Sequence, residues 1–262
     1  MRAPKPQVIN PKELTMGTQH TWCVGLSALL LGTGLFQLPI SAPASAAITS
    51  TCQYSQVVIL DATSAESAEA CRALADVVGY FQKLQFSFEP TFSIRFRSSM
   101  PADNHEGRRT HGFFDSNAGT VVLFRSPNVT PWGLVWSRNL ANSFLRHEMV
   151  HASLWHLLKE DFKKIRPEWH EFIAYAIQLD LMNTELRQQI LANNVDIGPF
   201  SNLANVNEFT HGMAPDDFAI SSYRTYLSRG SGTFINRLLT FQIKPPPMAY
   251  PFVVLPGEIS SQ

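Results

Sequence analysis

The segment LRHEMVHASLWH, residues 145–156, contains two histidines four positions apart, with a glutamate directly after the first. On a helix of about 3.6 residues per turn, His147 and His151 lie on one face, so two neutral imidazoles can share one metal ion. Glu148 is turned by about 60° from His151, so it can reach a water at the metal without displacing a ligand. This H-E-x-x-H pattern predicts a zinc site with His147 and His151 as ligands and Glu148 as general base.

The same two histidines belong to the apolar stripe of a predicted helix over about residues 137–159. The residues that recur at helical spacing are Leu140, Phe144, His147, His151, Leu154 and Leu158. A short motif can arise by chance, and one inward histidine is usually a satisfied core residue. Two inward histidines beside a glutamate favour the metal site, and a metal-free core helix is the alternative.

A third ligand is needed, and the His-rich extension H-E-x-x-H-x-x-G-x-x-H is absent from the chain. The next segment, RPEWHEFIAYAIQLDLM, predicts a helix from Pro167 to Met182 that is apolar on both sides and therefore sandwiched. A carboxylate in such a helix needs a cation or a partner, which makes Glu171 the predicted third ligand. Glu168 is the fallback ligand, but at the second helical position its charge more naturally complements the helix dipole.

The sequence His147-Glu148-x-x-His151, followed after 19 residues by Glu171-x-x-Ala174, resembles the gluzincin group of zinc metallopeptidases. In that group the third ligand is a glutamate on the helix after the motif, and a small residue three places later lets the two helices pack closely. The resemblance covers about residues 91–182. It implies a small zincin-like domain, Zn²⁺ as cofactor, and a peptide or protein as substrate.

The resemblance also implies further parts of a site. The strand GTVVLF, residues 119–124, would be the edge strand that aligns the substrate. Gluzincins stabilise the oxyanion with a histidine or tyrosine downstream of the third ligand. The candidates for this role here are His211, Tyr223 and Tyr226, with Tyr223 as the first choice and His211 as the second. Tyr175 stands where thermolysin-like members have an aspartate. The candidates for orienting the ligand histidines are Asn142, Tyr175 and Gln178.

The order of predicted elements indicates an α+β fold. The strands are predicted at 55–62, at 91–98 and as a hairpin over 111–126, and a helix with a Thr63-x-x-Glu66 capping box covers 63–84. Two further helices are predicted near 184–192 and 215–228. Strands followed by helices predict a zincin-like arrangement in which a small, mostly antiparallel sheet packs on the helical half that carries the H-E-x-x-H helix.

The N-terminus is typical of a secretory signal peptide. Three basic residues precede an apolar run over 23–40, and Ala44-Ser45-Ala46 resembles a cleavage site. Residues 1–46 are therefore predicted to be removed, and an uncleaved membrane anchor is the alternative.

The remaining chain has a formal charge of −2 and no basic patch, which argues against nucleic acid or an anionic membrane surface as partner. Residues 47–244 would form the metallopeptidase domain, and 245–262, with five prolines, an extended tail.

Two cysteines, Cys52 and Cys71, remain after removal of the signal peptide. In an exported chain such a pair most simply forms a disulfide, and two buried thiols are the alternative.

The leading hypothesis for the function is a zinc-dependent peptidase that is exported to the periplasm or secreted. The second is a zinc-binding protein that recognises peptides without cleaving them. The third is a metal-free binding domain with a chance motif.

Overall fold

A mixed five-stranded β-sheet and seven α-helices make up the part of the chain that the computed structural model describes, residues 50–98, 111–126 and 130–247. The α+β class is as predicted. The predicted signal peptide and residues 248–262 of the predicted tail lie outside the described residues. Among the described helices, none combines the length and the apolar character that crossing a membrane requires.

The sheet has two parallel pairs at its centre and one antiparallel pair at each edge. Its strands are β1 Ser50–Thr51, β2 Val58–Leu60, β3 Ser93–Arg97, β4 Gly112–Asp115 and β5 Thr120–Phe124, in the order β1-β2-β3-β5-β4. β2, β3 and β5 run parallel, whereas β1 and β4 are antiparallel to their neighbours. The prediction of a mostly antiparallel sheet is wrong, because a crossover helix between β2 and β3 returns the chain in the same direction.

The predicted edge strand also needs correction. Residues 119–124 contribute β5, which lies inside the sheet between β3 and β4, so the edge strand on this side is β4. The last four residues of β5, Val121–Phe124, are all buried. An uninterrupted apolar run of this kind is typical of a strand covered on both faces.

The crossover helix, α1 Ser64–Lys83, begins with the predicted capping box. The Thr63 side chain accepts a hydrogen bond from the Glu66 backbone, and the Glu66 side chain accepts one from the Thr63 backbone. Glu66 also accepts a hydrogen bond from Arg125 Nε at 2.7 Å, which ties the start of α1 to the end of β5. Cys52 and Cys71 are paired in a disulfide that links α1 to the segment before β2.

The other helices are α2 Arg138–Leu158, α3 Pro167–Leu181, α4 Thr184–Asn193, α5 Glu208–Met213, α6 Pro215–Ser228 and α7 Gly232–Leu239. α2 starts where the Ser137 side chain accepts a hydrogen bond from the Leu140 backbone, and α3 starts with a proline, both as expected for helix N-termini. α2 packs against α1, β4 and β5 on one side and against α3 on the other. α3 in turn packs against α6, which explains its two apolar faces. α5 and α7 were not predicted.

Candidate metal centre

The three predicted ligands meet where α2 packs on α3. His147 and His151 lie one turn apart on α2, and their Nε2 atoms are 3.1 Å from each other. Glu171 reaches them from α3, with one carboxylate oxygen 3.3 Å from His147 Nε2 and the other 3.5 Å from His151 Nε2. The histidines and the glutamate therefore form one group that could hold a metal ion.

The spacing of these donors fits a tetrahedral ion. Ligand atoms about 2.0–2.1 Å from a zinc ion at tetrahedral angles are separated from each other by about 3.3–3.4 Å. The separation of 3.1 Å between the two Nε2 atoms and that of 3.3 Å between His147 Nε2 and one Glu171 oxygen lie close to that value, and the other Glu171 oxygen is 3.5 Å from His151 Nε2. Two imidazoles with one carboxylate are a donor set that zinc accepts, and three protein ligands leave a fourth position for water or substrate.

The protonation states of the group are set by burial and by mutual attraction. Burial lowers the pKa of His147, which favours the neutral imidazole. Burial would raise the pKa of Glu171, but the two histidines outweigh it and hold that pKa well below its usual range. Burial would likewise lower the pKa of His151, yet attraction to Glu171 raises it. A neutral His147 and an ionised Glu171 are already the forms that bind metals.

A hydrogen-bonded chain behind His147 fixes the orientation of its ring. His147 Nδ1 lies 3.0 Å from Gln178 Oε1, and Gln178 Nε2 donates to Ser143 Oγ at 3.1 Å. Since the amide nitrogen is used by Ser143, the amide oxygen is left to accept the Nδ1 proton, and Nε2 stays available as a metal ligand. Of the candidate orienting residues, Gln178 therefore occupies the expected position. Tyr175 packs its ring 4.4 Å from that of His147, and Asn142 accepts a hydrogen bond from Arg146 through its backbone carbonyl.

Glu148 is buried between α2 and the edge strand β4. A Cβ atom at Gly112 in β4 would lie 2.5 Å from the Val122 carbonyl oxygen and 3.1 Å from Glu148 Cγ, so only glycine lets the strand approach this closely. Burial raises the pKa of Glu148 to about 8, and a backbone hydrogen bond from Phe114 opposes that rise. A pKa this close to neutral lets the carboxyl group exchange a proton near neutral pH, which general acid–base chemistry requires.

These groups open into a cavity of about 1310 Å³. Its walls come from β4, from the turn before α2, from α2, α3 and α5, and from the start of α6. Trp132 lies in that turn with φ of 52°, a left-handed conformation uncommon for a large residue. Asp216 fixes this conformation by accepting a hydrogen bond from the Trp132 backbone N–H at 2.7 Å.

The two predicted oxyanion donors lie in different places. His211, on α5, lines the cavity, and its Nε2 atom is 3.9 Å from a carboxylate oxygen of Glu171. Tyr223 is buried on α6 and is not among the residues that line the cavity; its ring stacks on Tyr226 with 6.0 Å between ring centroids. This placement removes Tyr223 from the candidate donors, because the face of α6 that carries it packs into the core.

Two further cavity residues were not assigned to the site from the sequence. His111 immediately precedes β4, and its ring stacks on Phe144 with 3.8 Å between centroids. Asp216 reaches the cavity from the first turn of α6. Neither residue stands at a motif spacing, so only the tertiary packing reveals them.

The chain belongs to a family of unknown function, DUF6639, whose model matches residues 57–244. The match includes all three candidate ligands and Glu148. Curated proteins and solved structures give no significant match to the chain.

Proposed function

We propose that this protein is an exported, zinc-dependent peptidase of the gluzincin type. The observation that carries the proposal is the meeting of His147, His151 and Glu171: the imidazole Nε2 atoms are 3.1 Å apart, and each lies 3.3 or 3.5 Å from one oxygen of the Glu171 carboxylate, a spacing compatible with one shared metal ion. The buried Glu148, next to His147 in sequence, supplies the second requirement, a base.

Zinc, when bound by these ligands, would polarise the scissile carbonyl and acidify a water molecule. The chain's own groups would do the rest. Glu148 would take the proton of the attacking water and later pass it to the leaving amine. His211 would donate a hydrogen bond to the oxyanion from the α5 side of the cavity. Gln178 would hold His147 in the ligating tautomer.

Peptide binding is supported by the shape of the site. The cavity of about 1310 Å³ exceeds the range of about 300–1,000 Å³ that is usual for small-molecule pockets. Phe113 and Phe114 of the edge strand β4 line it. An extended peptide that pairs along a sheet edge is held through its backbone, and its alternate side chains enter pockets. In this proposal β4 takes the aligning role that the sequence assigned to residues 119–124.

Export is supported by the Cys52–Cys71 disulfide, because disulfides persist in oxidising compartments such as the periplasm and the extracellular space. The charged and apolar N-terminal segment is consistent with the same route. We therefore place the proposed activity outside the cytoplasm, in the periplasm or in the medium.

The test combines metal analysis with an unbiased peptide-cleavage screen on the wild-type protein and on Glu148→Gln. We expect about one zinc per chain in both proteins, and cleavage by the wild type alone, since loss of a general base reduces rates by about 10²- to 10⁴-fold. Glu185→Gln, an exposed glutamate on α4, is the control and should cleave normally.

Each alternative gives a different result. Stoichiometric zinc without cleavage of any peptide would identify a peptide-recognition protein that has no catalysis. Far less than one zinc per chain would mean that the H-E-x-x-H sequence is a chance match. Retained cleavage by Glu148→Gln would exclude Glu148 as the base.

A further inference from the structure

Glu168 is a second carboxylate in the cavity that no step of the proposed reaction uses. It stands one turn before Glu171 on α3 and lines the cavity, yet the residue is only 6% exposed. Its Oε2 atom is fully buried and has no hydrogen-bond partner within the described part of the chain. A buried carboxylate oxygen without a donor is unfavourable, so this group requires an explanation.

The helix dipole does not explain the burial. Glu168 is the second residue of α3, where a negative charge is favourable. Glu185 is likewise the second residue of α4, and there the side chain is exposed to solvent. The favourable interaction with a helix N-terminus is therefore available without burying the carboxylate or depriving it of hydrogen bonds.

The chain's own cations near Glu168 are engaged elsewhere. Arg166 donates a hydrogen bond to the Pro246 carbonyl at 3.0 Å, and Lys164 pairs with Asp161 at 2.6 Å. No lysine or arginine occurs among the described residues that line the cavity, whereas Glu208 and Asp216 add two more acidic groups. Burial lowers the pKa of His211, the cavity histidine that interacts electrostatically with Glu168, and so favours its neutral form. Among the described residues, the cavity is thus acidic around a carboxylate that has no permanent cation beside it.

We propose that Glu168 receives a positively charged group of the substrate, and that it makes the enzyme selective for peptides that carry an ammonium or guanidinium group close to the cleaved bond. This inference rests on the proposed function, because it takes the cavity to be the peptide site. The shared chemistry is a cation that donates hydrogen bonds to a buried carboxylate.

The position of that cation along the peptide follows from the helix. Residues three apart on a helix have Cβ atoms about 5–6 Å from each other, so Glu168 and Glu171 face the same region. An extended peptide advances by about 3.3 Å per residue. The charged group therefore belongs to a residue within about two positions of the scissile bond, either as a lysine or arginine side chain or as the free N-terminus.

The experiment measures binding separately from catalysis. Alanine-rich decapeptides with one lysine scanned along the chain are titrated into zinc-loaded Glu148→Gln, with or without the second change Glu168→Gln. Each peptide is paired with its acetyl-lysine form, and each is made with a free and with an acetylated N-terminus. These pairs distinguish a side-chain cation from a terminal one. Glu185→Gln in place of Glu168→Gln is the matched control, since both remove a glutamate from the second position of a helix.

We expect at least one charged peptide to bind about 10- to 100-fold more tightly than its neutral partner, the range for one charge-assisted hydrogen bond. Glu168→Gln should abolish that preference while zinc content stays unchanged and thermal stability does not fall, and Glu185→Gln should keep the preference. Equal binding of charged and neutral peptides, or a preference that survives Glu168→Gln, would overturn the inference.

The result also separates this inference from the proposed function. If wild-type protein cleaves no peptide but shows the Glu168-dependent preference, catalysis is refuted and recognition of cations stands. If it cleaves peptides without any charge preference, the peptidase stands and the role of Glu168 is refuted.

Discussion

Two pairs of histidines in this molecule share a low-dielectric environment but have opposite surroundings. His147 and His151 point their Nε2 atoms at each other and at Glu171, with separations of 3.1 to 3.5 Å. His111 and His170 are packed against aromatic rings, and the Nε2 atom of each is buried without a partner in the described part of the chain. Burial lowers the pKa of both His111 and His170 to about 4.

The difference shows what distinguishes a ligand from a core histidine. Burial removes the imidazolium from water in both pairs, and by itself it favours the neutral ring everywhere. Of these two pairs, only the first has a carboxylate within 3.5 Å of its ring nitrogens among the described residues, and only there do three potential ligand atoms lie within 4.8 Å of one another. A convergent donor set, and not burial, therefore identifies the candidate metal centre.

The largest expected effect is the loss of metal when a member of the first pair is changed. His151→Gln or Glu171→Gln removes one of the three proposed ligands, so we expect zinc content to fall from the proposed one per chain to a small fraction of that value. Dialysed protein analysed by mass spectrometry for metals gives the measurement.

His170→Gln is the sharp control for this prediction, because His170 is adjacent to Glu171 in sequence and is about as buried as His147. We expect it to keep stoichiometric zinc. If His170→Gln loses the metal as fully as His151→Gln does, then the two histidine pairs do not differ in their effect on metal binding, and the comparison fails.

Much of this arrangement could be predicted from the sequence, because it depends on local spacing. The positions of His147, Glu148 and His151 on one helix follow from 3.6-residue periodicity. The residues at which α2 and α3 start follow from Ser137 and Pro167. The burial of Glu171 could be anticipated because its helix is apolar on both sides. The Thr63–Glu66 capping box is likewise a local pattern.

The remaining features depend on tertiary packing and could not be read from spacing. Strand order is one of them: nothing local indicates that β4 passes outside β5, although the continuous apolar run of β5 suggests an interior strand. The choice between His211 and Tyr223 is another, since it depends on which face of α5 and of α6 meets α3. The amide of Gln178 reaches His147 across 31 positions of sequence, a pairing that only the packing of α2 on α3 creates.

An intermediate effect is expected when the support of His147 is removed. Gln178→Leu keeps a similar volume in the core but takes away the acceptor for Nδ1, so the ring is no longer held in the ligating tautomer. We expect zinc affinity, measured by competition with a chromophoric chelator, to fall by about 10- to 100-fold. Gln188→Leu on the exposed side of α4 is the matched control and should leave the affinity unchanged. Unchanged affinity in Gln178→Leu would show that Gln178 is only a core residue.

The smallest expected effect is a pH-dependent change in the free energy of unfolding that is caused by His111, a member of the second histidine pair. The pKa of His111 is about 4 in the folded protein and 6.5 for an ordinary histidine. Between those pH values the unfolded chain binds more protons, so the contribution of the neutral His111 to stability is complete above pH 6.5 and is lost as the pH falls towards 4. His111→Phe keeps a ring on Phe144 but cannot titrate. Between pH 7 and pH 5 we expect the wild type to lose on the order of 1–2 kcal/mol more unfolding free energy than this variant.

Urea denaturation at both pH values, with a chelator present throughout so that metal release does not contribute, measures that difference. All other titrating groups are common to the two proteins, so their effects cancel in the comparison apart from the repulsion between His111 and His147. If His111→Phe loses as much stability as the wild type between pH 7 and pH 5, then His111 is protonated in the folded protein. It would then not be the neutral core histidine that distinguishes the second pair from the first.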